Sequence, residues 1–219
     1  MTFINEASGP HQGQPILSAG EPLETATAAM ILIHGRGASA PDILSLTEYL
    51  GAAGFAYLAP QAAHNAWYPQ SFLSPLAQNE PYLTSAMATV SSLLERVLAS
   101  GLPAGKIVLG GFSQGACLAS EFVARNPQRY GGLLVFSGGL IGPPGTPRDY
   151  AGSLEGLPVF VGCSDVDFHI PKERVQETSQ VLEKMGASVT EKIYPNMGHT
   201  IIQDEIDQAR KIVETVSKN

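Results

Sequence analysis

Apolar residues in this chain gather in short runs, at 28–33, 55–60, 107–109, 132–139, 157–162 and 189–194. Runs of that length bounded by Gly, Pro or Asn read as strands, and the near-continuous hydrophobicity of most of them fits strands covered on both faces. The last one alternates instead, with Val189, Glu191 and Ile193 on one face and Thr190, Lys192 and Tyr194 on the other. Between the runs the apolar period becomes that of a helix. Ile43, Leu46, Leu50 and Ala53 predict a helix opened at Pro41 and stopped by Gly54, and Leu83, Met87, Val90, Leu94 and Val97 predict a longer one starting at Pro81. Further helices are expected from Ser113 to Asn126, from Pro171 to Gly186, and through Ile202, Ile206, Ala209, Val213 and Val216 at the end of the chain. Strands alternating with helices predict an α/β protein with about six strands in a mainly parallel central sheet, helices on both faces.

Two stretches escape this pattern. Residues 1–24, rich in Gly, Pro, Ser and Glu, are expected to form an N-terminal arm or edge hairpin, leaving 25–219 as a single domain. Residues 61–79 have no period but carry Trp67, Tyr68, Phe72 and Leu73. A long irregular loop in a compact domain is usually functional, so these four residues are candidate walls of a substrate pocket. The competing reading is a surface loop pinned to the core by Trp67.

The chemistry centres on Gly111-Phe112-Ser113-Gln114-Gly115, which follows a strand and precedes a helix. A serine on such a turn has its hydroxyl lifted clear of the backbone, beside the unpaired N–H groups of the helix start, and Ser113 is the candidate nucleophile. His34-Gly35-Arg36, Ser113, Asp165 or Asp167, and His199 each lie just beyond a predicted strand. In a parallel sheet those positions share one edge, where ligands bind, so the groups can converge.

The order serine, acid, histidine is that of the α/β-hydrolase fold. Four motifs carry a closer resemblance: His34-Gly35-Arg36-Gly37, Gly110 to Gly115, the Asp-x-x-Ile-Pro of Asp167 to Pro171, and Met197-Gly198-His199. Together they resemble the phospholipase/carboxylesterase family, which includes the acyl-protein thioesterases. That resemblance implies a cofactor-independent serine hydrolase acting on carboxylic esters, thioesters or lysophospholipids through an acyl-enzyme. It implies Ser113 as nucleophile, His199 as general base and acid, and Asp167 as the carboxylate behind the imidazole. Counting from the strand glycine Gly162 points instead to Asp165, because this chain carries two extra residues before Pro171; the helix start favours Asp167. The backbone N–H groups of Gln114 and Arg36 are the implied oxyanion donors. The family commonly has leucine where Arg36 stands, so a charge at the cleft is a further expectation here.

Composition narrows the partners. A net charge of −7 with only 13 scattered Lys and Arg argues against a nucleic-acid surface. The N-terminal residues do not read as a signal peptide and no run is long enough to span a bilayer, so a cytoplasmic protein without a transmembrane segment is expected. Cys117 and Cys163 are isolated within predicted core segments and read as small buried hydrophobes. The five histidines lack metal-ligand spacing, and no cofactor or metal is implied. The alternatives are a dienelactone-type or other lactone hydrolase, or a non-catalytic binding protein on the same fold. A homodimer is compatible with the sequence, though no motif specifies one.

Overall fold

In the computed structural model, which describes residues 9–218, the apolar runs lie side by side in one sheet. The strands are β1 (Ile16–Gly20), β2 (Ala28–Ile33), β3 (Phe55–Pro60), β4 (Ile107–Phe112), β5 (Gly132–Phe136), β6 (Pro158–Ser164) and β7 (Ser188–Tyr194). The helices are α1 (Ala40–Leu44), α2 (Thr47–Leu50), α3 (Tyr82–Ala99), α4 (Gln114–Arg125), α5 (Lys172–Lys184) and α6 (Gln203–Lys218). Spatial order is β1-β3-β2-β4-β5-β6-β7, and every pair is parallel except β1 with β3. This is the seven-stranded, mainly parallel sheet of an α/β-hydrolase fold.

The seventh strand is the one the hydrophobic pattern does not reveal. β1 lies within the stretch read as an arm or edge hairpin, whose first eight residues fall outside those described. It pairs along its whole length with β3, from Ile16 opposite Pro60 to Gly20 opposite Ala56. Its partner is thus about forty residues away in sequence, and its own residues alternate between exposed and half-buried. A five-residue edge strand containing Ser and Gly has too little apolar signal to be recognised alone.

The expected helix from Pro41 to Ala53 is also corrected, because it breaks into α1 and α2. The carboxylate of Asp42 accepts the N–H of Ser39 and opens α1. The hydroxyls of Ser45 and Thr47 then donate to the carbonyls of Asp42 and Leu44, each at 2.7 Å. Such local side-chain bonds compete with the helical ladder and end it after a turn.

Alternation along the strands divides the core between two faces. Ala29, Ile31 and Ile33 pack with Val90, Val97, Leu118 and Phe122 of α3 and α4, whereas Met30 and Leu32 pack with Ile43, Ile206 and Val213 on the face of α1 and α6. Among the described residues no helix is long and apolar enough to cross a membrane.

One buried group disturbs the second face. Glu205, in the first turn of α6, is fully buried against Gly162 of β6. Its Oε2 accepts the Ile202 N–H at 2.9 Å, and among the described residues its Oε1 has no partner. Burial pushes this carboxyl up to about 7 from 4.5; the Ile202 N–H opposes that rise and the charge of Asp204 adds to it. An acid raised in the folded state binds its proton more tightly there than when unfolded, so its ionisation costs stability as pH rises from about 4.5 to about 7. Glu205→Gln removes that titration. The loss of stability between pH 4.5 and pH 8, measured by chemical denaturation at each pH, should shrink by about 3 kcal/mol in the variant.

Candidate active site

Close packing determines where Ser113 sits. β4 ends at Phe112 and α4 starts at Gln114, so one residue must turn the chain, and Ser113 does so with φ 55° and ψ −120°. A residue with a β-carbon holds positive φ only where its surroundings enforce it. A β-carbon on Gly111 would meet the Gly115 carbonyl carbon and the Ile33 oxygen at 2.6 Å, and one on Gly115 would run into the Ile33 carbonyl. Two hydrogen bonds complete the clamp, from the Ser113 N–H to Phe136 O at 2.9 Å and from the Cys117 N–H to Ser113 O at 3.0 Å.

The serine hydroxyl held in this way meets a histidine. His199, in the loop between β7 and α6, has Nε2 at 2.9 Å from Ser113 Oγ and Nδ1 at 2.6 Å from Asp167 Oδ2. An ionised carboxylate only accepts, so the ring proton belongs on Nδ1, and Nε2 is left to accept from the serine hydroxyl. The Asp167 side chain is fully buried, and its Oδ1 accepts the N–H groups of His169 and Ile170 at 2.8 and 3.1 Å. Burial alone would raise this carboxyl, but the His199 ring and those two N–H groups hold it below the usual carboxylate range.

Asp165 faces away and does different work. Its Oδ1 accepts the Asn196 N–H at 2.8 Å, and the neighbouring Ser164 hydroxyl donates to Met197 O at 2.5 Å. Both bonds brace the loop that carries His199. The imidazole itself packs between two rings, Phe112 and the exposed His169, each with its centroid 4.8 Å away.

A cavity of about 400 Å³ opens beside Ser113. Its lining includes Gly35, Arg36, Gln114, Tyr68, Phe72 and Cys117, together with His169, Ile170 and His199. The Gln114 N–H, first in α4, has no helical acceptor, and among the described residues neither it nor the Arg36 N–H donates to another protein group. Burial pushes the Cys117 thiol up to about 12, so it supplies no competing thiolate.

The sequence profile of the phospholipase/carboxylesterase family matches residues 16–217 of this chain. The crystal structure of a phospholipase/carboxylesterase from Dyadobacter fermentans is 42% identical in sequence, with a TM-score of 0.89 over 96% of this chain and 99% of that one. An acyl-protein thioesterase 1 from Eremothecium gossypii is 29% identical over 212 residues, 87% of this chain and 88% of that protein. The carboxylesterase of Bacillus cereus shares the fold at a TM-score of 0.74 and 19% identity, over 94% of this chain and 95% of that one.

Of the four residues read as pocket walls, Tyr68 and Phe72 are on the cavity surface, and Trp67 and Leu73 are not. Leu73 packs against the core under α3 and α4. Trp67 is fully buried, its Nε1–H donating to His34 O at 2.9 Å and its ring packed against His34 and His11 at 5.1 and 5.3 Å. Both histidines are buried, and burial lowers their pKa so that they remain neutral ring contacts. The His11 Nδ1 accepts the Ala63 N–H and its Nε2–H donates to Trp67 O, a role that no local motif reveals. Trp67 therefore belongs to the core and not to the cavity wall. Trp67→Ala should lower unfolding free energy by about 3–5 kcal/mol in guanidinium denaturation. Trp67→Phe, which keeps a ring and loses the bond to His34, should cost about 1–2 kcal/mol.

Proposed function

This chain belongs to the phospholipase/carboxylesterase family and is a hydrolase of carboxylic-ester type, and we propose that it cleaves esters, thioesters included, through an acyl-enzyme formed on Ser113. The observation that carries the reading is the unbroken line Asp167 Oδ2, His199 Nδ1, His199 Nε2, Ser113 Oγ, with contacts of 2.6 and 2.9 Å, opening on a cavity.

The steps follow from these atoms. Ser113 Oγ attacks the acyl carbon while its proton passes to His199 Nε2, and buried Asp167 stabilises the imidazolium so formed. The carbonyl oxygen becomes an oxyanion, held by the N–H groups of Gln114 and Arg36. Collapse breaks the bond to the leaving group, which departs as an alcohol or thiol with the proton from Nε2. Water then attacks the acyl-serine, giving one proton to His199, and collapse releases the carboxylic acid and returns that proton to Ser113. A thiol leaves more readily than an alcohol, so the same groups serve both ester types.

A fluorophosphonate probe should give one adduct, on Ser113, in wild type and none in Ser113→Ala, which should also lose p-nitrophenyl ester hydrolysis by roughly a thousand-fold or more. Asp167→Asn should fold normally yet lower kcat by about ten-thousand-fold, because the amide can present its N–H to Nδ1 and favour the wrong tautomer. Asp165→Asn should retain far more activity. Undiminished turnover in Ser113→Ala would end the proposal.

A further inference from the structure

Arg36 stands where the family commonly has leucine, and its charge does not stand free in the cleft. Its guanidinium reaches the irregular loop opposite and donates to three successive carbonyls: Nη2 to Tyr68 O at 2.8 Å, Nη1 to Pro69 O at 2.9 Å, and Nη2 to Gln70 O at 2.6 Å. Among the described residues no carboxylate pairs with it. The planar fork of a guanidinium suits such convergent acceptors, whereas a lysine ammonium is a point charge.

The same loop is held from the other side of the site. Gln114 Oε1 accepts the Trp67 N–H at 2.8 Å, and its Nε2 donates to Tyr68 O at 2.9 Å. The two cavity-lining residues proposed as oxyanion donors thus both spend their side chains on one loop. That loop has no helix or strand from 66 to 75; backbone bonds hold it at Phe72 O, which accepts the Gly142 N–H at 2.7 Å, and at Ser74, whose N–H donates to Ser71 O, while the carbonyls of 68–70 are met by side chains. It also supplies Tyr68 and Phe72 to the cavity surface.

We infer that Arg36 is a specificity-determining positioning residue: its side chain latches the 68–70 carbonyls, fixes the Tyr68–Phe72 wall relative to the oxyanion donors, and so sets which acyl groups fit. The inference rests on the esterase reading for its catalytic consequence and on hydrogen bonding alone for its structural one. The Arg36 backbone N–H is present whichever side chain the residue carries, so replacing that side chain removes the latch and retains the proposed oxyanion donor.

The test compares wild type, Arg36→Leu and Arg36→Lys by hydrogen exchange with mass spectrometry and by kcat and KM for p-nitrophenyl esters from acetyl to dodecanoyl. In Arg36→Leu, amides of the segment carrying Trp67 to Leu73 should exchange about ten-fold faster while those of β4 and β5 hold, the expected scale for lost charge-assisted bonds. KM for the best ester should rise by about ten-fold, the change in kcat should be smaller, and the preference between shortest and longest acyl chains should flatten. Arg36→Lys keeps the charge without the fork and should behave like Arg36→Leu. It also keeps the test open should the leucine variant fold poorly. Unchanged exchange in both variants would overturn the latch, whatever the activity; faster exchange with an unchanged acyl profile would overturn its role in selectivity. A lysine variant with the wild-type acyl profile would point to a charge acting on substrate. Wild type inactive on every ester would defeat the esterase reading, and the exchange data would still decide the latch.

Discussion

The carbonyl of Ile33 lies against Gly115 where no β-carbon can intervene, and most of the site depends on that contact. It presses the end of β2 onto the first turn of α4. The loop after β2, with Gly35 and Arg36, is thereby brought beside the turn that carries Ser113. Parallel pairing of β2 with β4, from Ala29 opposite Ile107 to Ile33 opposite Gly111, brings the two strand ends level. The strain at Ser113 is then the consequence of two glycines, one before and one after it, that let backbone meet backbone. Any larger residue at either place would push the end of β2 away from the first turn of α4.

Much of this was legible because it is written in local patterns. Buried parallel strands are apolar along their whole length, so β2 to β6 stand out, and each helix bar the first pair shows its period. Ser113 is legible from its glycines, and His199 and Asp167 from their order along the chain and their places beyond strands. Between Asp165 and Asp167 two patterns disagree, since the count from Gly162 points to the first and the helix start at Pro171 to the second. What separates them in the structure is direction: Asp167 turns toward His199, while Asp165 turns to the Asn196 N–H.

What stayed hidden has one physical character, dependence on partners distant in sequence. β1 becomes a strand because β3 offers a free edge. Trp67 enters the core, and not the cavity, because His34 O and the His11 ring await it. Arg36, which reads as a spare charge, is drawn to carbonyls more than thirty residues further on. The long loop supplies few bonds to itself, so its aromatics could not be sorted into wall and anchor before the partners were known.

This division bears on how such an enzyme changes its substrate without losing its chemistry. The groups proposed to make and break bonds are held by the sheet, by glycine packing, by the buried Asp167 and, at the His199 loop, by the bonds of Asp165 and Ser164. The cavity wall is held instead by the side chains of Arg36 and Gln114, with Asn79 adding bonds to Gln70 N–H and Ser71 O. Replacing one of those side chains alters the wall while the strand ends beneath it stay where they are. The proposed bond-making geometry and the Tyr68–Phe72 wall of the cavity therefore rest on largely separate sets of interactions, which meet at Arg36 and Gln114 on one hand and, on the other, at His169 and Ile170, whose N–H groups hold Asp167 while the residues line the cavity.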